Sequence, residues 1–402
     1  MSRPPVVLYA AQSLPASPVA CATRCHHLGE ALRRAGFPLE IWSHTPGTAT
    51  LVLRLPFPDN RWPTPVRMLV EAAMAVELVI RLALRRLRGR PPVVILSSPP
   101  YVTCFFVALA CRALGIAYVF DARDVYPEVL FNLGVIRRDS FVGRRLAALT
   151  RGIYRHAAMV TTPSHRFAET IRAQVPDAGS VHVVRNGWDD AAAPSTPVAR
   201  AGAPFTCVFH GLLGRMHDIA LLLAVARRVA ELRPEVRFLV AGYGPKEDQV
   251  RHHGLPNLEF RGKLAHGDVP ALLREADLGL AFICENEGAD GAFPVKVYEY
   301  LGAGLPVFVT PVSEAGRLIR DRAMGRAFAA VDAEAIATAI ATAIAEAIAS
   351  AADRGPEWQA WRDAVLAGRH EFGRRVGSDR FASALAAVVA ASGAPVAATA
   401  SS

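Results

Sequence analysis

Cysteine is scarce and scattered in this sequence. There are six among 402 residues, at 21, 25, 104, 111, 207 and 284, too few and too dispersed for a disulfide framework. No Cys-x-x-Cys occurs, and no Cys/His cluster has zinc-ligand spacing. Reduced thiols and a cytoplasmic chain are the expectation. Cys21 and Cys25, one helical turn apart, read as packing residues before reactive ones. No signal peptide is visible, since Met1–Pro5 leads only into a short apolar run, Val6 to Ala11. A long uninterrupted apolar run is missing too. Residues 91–111 carry no charge, but prolines at 91, 92, 99 and 100 break them into strand, turn and helix, so no membrane span is expected. No Gly-x-Gly-x-x-Gly follows the first strand, which argues against a nicotinamide-dependent dehydrogenase. Acid is the charge in short supply. Asp+Glu number 36 against 45 Lys+Arg, a formal balance of +9. That excess suits a phosphate-bearing partner, an anionic membrane face or a nucleic acid without choosing among them.

What is abundant is apolar: 52% hydrophobic and 20% charged residues support a sizeable core and exclude global disorder. The length predicts two or three domains at roughly 100–200 residues each. Short apolar runs alternate with helical periods. Strands are expected at Val6–Ala10, Leu39–Trp42, Val93–Leu96, Ala117–Phe120 and Met159–Thr161. Helices are expected at 22–35, within 64–88, and at 102–114, 141–156 and 165–174. This alternation means a parallel sheet covered on both faces. An Ala/Pro-rich stretch without period, 191–204, reads as a linker. Alternation then restarts, with strands at 205–209, 237–241, 258–260, 278–282 and 306–309 and helices at 217–232, 268–275, 294–303 and 332–350. Helical segments at 358–370 and 380–391 close the chain, and 392–402 should fray. The prediction is therefore α/β, two doubly wound Rossmann-like domains. They comprise an N-terminal domain over 1–190 and a C-terminal one over 205–365. Ligands of such sheets sit beyond the carboxyl ends of the strands, here in a cleft between the domains.

Three constellations carry candidate chemistry. The densest is Gly291-Ala292-Phe293-Pro294-Val295-Lys296-Val297-Tyr298-Glu299-Tyr300. Pro294 opens a helix, and Lys296 and Glu299, three apart, share a face near its start. Free N–H groups there attract anions, Lys296 adds a point charge, and Glu299 can accept hydrogen bonds from a ribose diol. An ordinary surface Lys–Glu pair explains the same residues equally well. The second runs from Phe209 to Asp218, with Gly211 and Gly214 letting backbone approach a phosphate and Arg215 and His217 supplying charge. A plain strand-to-helix turn is the alternative. A further loop, Gly242-Tyr243-Gly244-Pro245, also follows a strand. The third constellation is Asp121-Ala122-Arg123-Asp124-Val125-Tyr126-Pro127-Glu128, just after a strand, where a site or a solvated capping loop could stand. Separately, 61–90 carries Arg at 61, 67, 81, 85, 86, 88 and 90 with Met68, Leu69, Met74, Val79, Ile80 and Leu84. It reads as a basic amphipathic helix for an anionic surface, or as a core helix with a basic end.

Taken together, the motifs resemble the retaining glycosyltransferases of sequence family 4, which have the GT-B fold. The resemblance spans Val6 to about Ala391. It rests on the Arg123–Glu128 stretch, Ser164, Asn186-Gly187-Trp188-Asp189, Gly211-x-x-Gly214, Gly242-x-Gly244-Pro245, Ala276-Asp277 and Glu299-Tyr300-Leu301-x-Ala303-Gly304-x-Pro306-Val307. What it implies is a nucleotide-sugar donor, with UDP the expected nucleotide, on the C-terminal domain. A glycan or polyprenyl-linked acceptor would lie on the N-terminal one, and transfer would retain configuration. It implies no cofactor, no metal and no nucleic-acid partner. Gly211, Gly214, Arg215, His217, Gly242, Gly291, Lys296 and Glu299 become the donor-binding set, and Arg123, Asp124 and Glu128 the acceptor side. Lys296, Arg215, Arg123 and Asp124 become the candidates for catalysis. The resemblance also implies that 366–391 crosses back to the N-terminal domain, and that the chain works in the cytoplasm or on the inner membrane face. Three departures stand out. The family's first Glu of a Glu-x7-Glu pair is Gly291 here, its phosphate-loop Arg and Lys fall at Leu212 and His217, and its N-domain His falls near Arg123. They match a subgroup with a Lys-x-x-Glu-Tyr helix, whose members commonly build bacterial surface polysaccharides. A catalytically inactive binding subunit, or another GT-B enzyme such as an epimerase, remains the alternative.

Overall fold

A computed structural model describes residues 4–10, 20–44, 64–89, 91–132, 134–190, 202–214, 216–284, 289–291, 293–329 and 334–391. The stretch 191–201 of the expected linker, the tail 392–402, Arg61, Arg90 and Arg215 lie outside them. Contacts divide the chain into two units, 1–185 with 375–402, and 186–374.

The first unit alternates β1 (Val6–Tyr9), α1 (Ala20–Arg34), β2 (Leu39–Trp42), α2 (Thr64–Leu87), β3 (Val93–Ser98), α3 (Tyr101–Leu114), β4 (Tyr118–Ala122), α4 (Glu128–Asn132), α5 (Phe141–His156), β5 (Met159–Thr162), α6 (His165–Gln174) and β6 (Ser180–Val183). Its six strands are parallel, in the order β2-β1-β3-β4-β5-β6. Central strands are apolar on both faces because helices cover both. Leu78 and Leu82 of α2, Cys104 and Ala108 of α3, Ile153 of α5 and Ile171 of α6 pack on one face. Leu28 and Leu32 of α1 pack on the other. Serines cap α5 and α6: Ser140 accepts from the Gly143 N–H at 3.0 Å and Ser164 from the Phe167 N–H at 3.1 Å.

The second unit runs β7 (Thr206–Leu212), α7 (Ile219–Leu232), β8 (Arg237–Tyr243), α8 (Glu247–Arg251), β9 (Leu258–Phe260), α9 (Val269–Arg274), β10 (Leu278–Phe282), α10 (Val295–Gly302), β11 (Val307–Thr310), α11 (Glu314–Asp321), β12 (Gly325–Ala327), α12 (Glu334–Ala351) and α13 (Pro356–Gly368). Its parallel sheet has the order β12-β11-β10-β7-β8-β9. The order reverses between β7 and β10, the place where such sheets hold ligands. After a one-turn helix, Arg369–Phe372, α14 (Arg374–Ala391) returns the chain to the first unit. There Phe381 and Leu385 are buried with Leu8, Leu28 and Val119.

Two expected boundaries move in ways that matter. The strand expected at 205–209 continues to Leu212, so Gly211 lies in β7 rather than in a turn. The helix expected from 217 starts at Ile219, because the Asp218 side chain accepts from the Leu221 N–H at 2.9 Å and caps it. His217 is thereby left in the loop.

Candidate functional site

At the carboxyl ends of β7 and β8, Gly242 is glycine because the two strands come too close there for anything larger. Gly211 pairs with Gly242 and Leu212 with Tyr243. A Cβ on Gly242 would stand 2.0 Å from the Gly211 carbonyl oxygen, and Gly211 itself has φ +108°. The ladder continues into the loop: Leu213 N–H donates to the Tyr243 carbonyl at 2.8 Å, and Lys246 N–H to the Leu213 carbonyl at 3.0 Å. Lys246 Nζ donates to the His217 carbonyl at 2.7 Å. A one-residue bridge joins His217 to Ile283, just past β10, so the loop spans the strand-order reversal. Burial, with the Lys296 and Lys246 charges adding to it, pushes the His217 imidazole down to about 3. His217 therefore stays neutral at physiological pH, and its Nδ1 is buried without a hydrogen-bond partner among the described residues.

Helix α10 begins after Pro294 and brings Lys296 to the same place. Lys296 is buried, and its Nζ has no hydrogen-bond partner among the described residues. The ammonium lies 3.7 Å from the centroid of the Phe209 ring. A Cβ on Gly211 would stand 3.9 Å from Nζ, so the missing side chain keeps β7 backbone open to the cation. Burial brings the Lys296 ammonium down to about 7, with Glu299 pulling the other way. Glu299, one turn on, places Oε2 3.5 Å from His210 Nε2. Tyr300 fixes the helix to the sheet: its hydroxyl accepts from the His210 N–H at 3.3 Å and donates to the Leu280 carbonyl at 3.2 Å. Gly291 is buried in a one-turn helix, Ala289–Gly291, whose Asp290 pairs with Arg317 at 2.6 Å. A buried, unpartnered cation beside exposed-backbone glycine at a strand-order reversal is chemically a site for an anion.

Arg374 joins this group, and sequence reasoning missed it. It is buried; Nε donates to the Asn186 carbonyl at 3.2 Å, and Nη1 has no partner among the described residues. Burial holds its guanidinium below the usual arginine range, against the attraction of Asp189, Glu299 and Asp190. The Asn186-Gly187 pair explains how Arg374 is held. Gly187 has φ +66°, and a Cβ there would stand 2.6 Å from the Arg374 backbone. Trp188 N–H donates to the Phe372 carbonyl at 3.0 Å, and Arg374 N–H to the Trp188 carbonyl at 2.8 Å. The contact joins residues 188 positions apart, so only the Asn-Gly pair itself hinted at it.

In the first unit the loop after β4 does several separate jobs. Asp121 is fully buried: burial opposes its charge, but the Arg24 guanidinium at 2.7 Å, the Thr161 hydroxyl and the Arg123 charge hold it below the usual carboxylate range, and Ser97 also donates to it. It is a structural ion pair. Arg123, expected among the catalytic candidates, donates from Nε to the Ser98 carbonyl at 3.2 Å and from Nη2 to the Pro99 carbonyl. Both arms thus brace the β3–α3 turn. Asp124 is half-buried; burial pushes its carboxyl up, and Arg123 opposes the rise. Tyr126 stacks on Tyr101 with centroids 4.2 Å apart. Glu128 lies 3.5 Å from Arg138. Asp124 is thus the residue of the expected acceptor-side set whose carboxylate makes neither an ion pair nor a hydrogen bond among the described residues. No three His, Cys, Asp or Glu side chains among the described residues are grouped as metal ligands.

Two units, each a parallel α/β sheet covered by helices, one with glycine-rich strand ends at its strand-order reversal, define a two-domain Rossmann-like architecture. The glycosyl transferase 4-like domain family matches residues 20–187, and the glycosyl transferases group 1 family matches 204–346. The probable glycosyltransferase WbjE of Pseudomonas aeruginosa is 26% identical over 276 residues, 64% of this chain and 67% of that protein. Sucrose-phosphate synthase from Thermosynechococcus elongatus superposes with a TM-score of 0.67 at 17% identity, covering 97% of this chain and 100% of that one. HepE of Anabaena, in complex with UDP and glucose, gives 0.62 at 14% identity over 95% and 99%. The chain belongs to the glycosyltransferases of GT-B fold.

Proposed function

We propose that this glycosyltransferase moves a sugar from a UDP-sugar to a glycan or polyprenyl-linked acceptor, with retention of configuration and without a metal, in cell-envelope or extracellular polysaccharide synthesis. Lys296 carries the proposal: it is buried, partly protonated at neutral pH and without a hydrogen-bond partner among the described residues where β7 ends. The donor's diphosphate belongs beside it, over Gly211 and the 213–218 loop. Glu299 accepts hydrogen bonds from the ribose diol. As the bond from the anomeric carbon to phosphate oxygen breaks, charge builds on the departing UDP, an acceptor hydroxyl oxygen bonds to the anomeric carbon, and the hydroxyl proton passes to the departing phosphate oxygen. Lys296, with Arg374 near Glu299, opposes that charge. On the first unit, Asp124 is assigned to the acceptor. UDP as the nucleotide finds support in HepE, whose structure holds UDP and glucose.

The test is a panel of nucleotide sugars followed by thermal shift, then nucleotide release with glycan and lipid-linked acceptors, and the anomeric configuration of the product by NMR. A donor present at about 100 times its Kd should stabilise the fold by about 2.7 kcal/mol. Binding without turnover would favour an inactive subunit. A rearranged sugar formed with no acceptor would favour an epimerase. No stabilisation by any nucleotide sugar sinks the proposal.

A further inference from the structure

We propose that the outer face of α2, α3 and α5 is a docking surface for an anionic lipid bilayer. The three helices lie side by side on one face of the first sheet, α2 against α3 and α3 against α5. Helix α2 divides its apolar residues between two faces. Met74, Leu78 and Leu82 enter the core, so Met74 does not share a face with Leu69 and Ile80 as its place in the sequence suggested. Leu69, Val76, Ile80, Leu84 and Leu87, spaced by seven, four, four and three residues, form a second stripe that points away from the core, with Leu69 72% and Leu87 83% exposed. On α5, Phe141 and Val142 are 66% and 60% exposed, and Phe106 of α3 is exposed between the two helices. So many large apolar side chains on one layer mark an interaction face.

Charge selects the partner. The acids of α2, Glu71 and Glu77, are both buried, and α3 and α5 contain none. Apart from His156 at the end of α5, the basic residues of this layer are arginines, of which Arg81, Arg85 and Arg155 pair with Glu77, Glu40 and Asp177. Arg86, Arg88, Arg144, Arg145 and Arg151 form no ion pair among the described residues. The nearby acid Asp139 is already engaged by Arg137 at 2.8 Å. A second copy docking on the same face would set arginine against arginine, because a two-fold interface brings a patch against itself. Anionic headgroups complement the arginines while the apolar stripe enters the headgroup–acyl boundary. No described helix is long and apolar enough to cross a membrane. Nothing in it depends on the donor chemistry proposed above.

Sedimentation with phosphatidylcholine vesicles, with and without phosphatidylglycerol, tests the proposal, with light scattering on the lipid-free protein alongside. The full chain should bind the anionic vesicles, lose most of that binding in high salt, and stay unbound to phosphatidylcholine alone. The triple change Arg144→Gln, Arg145→Gln, Arg151→Gln should weaken binding at least tenfold. So should Leu69→Gln, Ile80→Gln, Leu87→Gln. An equal charge loss on the second unit, Arg228→Gln, Arg237→Gln, Arg251→Gln, should leave it unchanged. These positions are exposed, so melting temperatures should stay close to that of the parent protein. Failure to bind anionic vesicles overturns the proposal. So does binding that the second-unit variant weakens as much as the α5 variant, or a dimer that the leucine variant dissociates.

Discussion

Lys296 is stored in a costly state. Burial drives its ammonium down to about 7, so the empty protein holds a lysine that is only partly charged at neutral pH. The unfolded chain keeps that lysine protonated up to its ordinary 10.5, so between about 7 and 10.5 the unfolded state binds more protons. Stability of the empty protein should therefore rise with pH across that window, and Lys296→Met should raise the neutral-pH melting temperature. A bound diphosphate reverses the balance by restoring the charge. Donor binding should then take up a proton above pH 7, weakening up to tenfold per pH unit, and calorimetry in buffers of different ionisation enthalpy reads this directly. Lys296→Met should abolish that slope and lower kcat about a hundredfold, comparable to the loss of one oxyanion donor. Near-full kcat in a stabilised variant would remove Lys296 from the chemistry. Glu299→Ala should weaken donor binding by about 1.5–3 kcal/mol, the range for hydrogen bonds to a charged group, with the fold intact. Unchanged affinity in a folded variant would remove Glu299 from the donor site. Lys296 and Glu299 were legible in the sequence because a helix places residues three apart on one face. Arg374 was not, because its neighbours come from 186–190 and from α10, and no local pattern encodes that meeting.

Elements were legible where one signal dominated. Helices α5 and α6 match their expected bounds because a serine cap opens each and a basic or polar turn closes it. The edge strands β6 and β12, and α11, were missed. β6 reads Ser-Val-His-Val and β12 is only three residues long, so neither shows the continuous apolar run of a central strand. β7 was read short because Gly211 looked like the start of a turn. In the structure that glycine is paired within β7, and its φ of +108° rather than a chain reversal is what calls for glycine there. This gives a prediction at the level of the strand pair. Gly242→Ala puts a methyl 2.0 Å from the Gly211 carbonyl oxygen, and one strand must shift. The second unit should lose about 1–3 kcal/mol, the usual cost of overpacking, and donor affinity should fall with it because Gly211 moves relative to Lys296. Gly267→Ala, where a Cβ meets nothing within 4 Å, is the control. Equal melting temperatures for the two variants would contradict the close approach.

At the scale of the whole chain, the first unit is not finished when β6 is made. The chain leaves it after Arg185, builds the second unit, and only at Arg375 returns to it. Helix α14 then covers the face of the first sheet that α1 covers only in part. Phe381, Ala382 and Leu385 are buried among Val6, Leu8, Leu28, Leu32 and Val119, and Asp379 meets Arg34 at 2.7 Å. The exposed ion pair adds little, so the stabilisation comes from the apolar contact. This order has a consequence for folding. The second unit holds all its strands and both its helical layers before the last helix is reached, whereas the core of the first unit waits for residues from the chain end. Phe381→Ala should therefore cost about 3–5 kcal/mol, and that loss should fall on the first unit. Hydrogen exchange followed by fragment mass measurement should show faster exchange in β1, β3, β4 and α1, with β7, β8 and α10 unchanged. Donor-induced protection of the second unit should persist in the variant. A loss shared equally by both units would mean that they unfold as one, and that α14 does not act on the first unit alone.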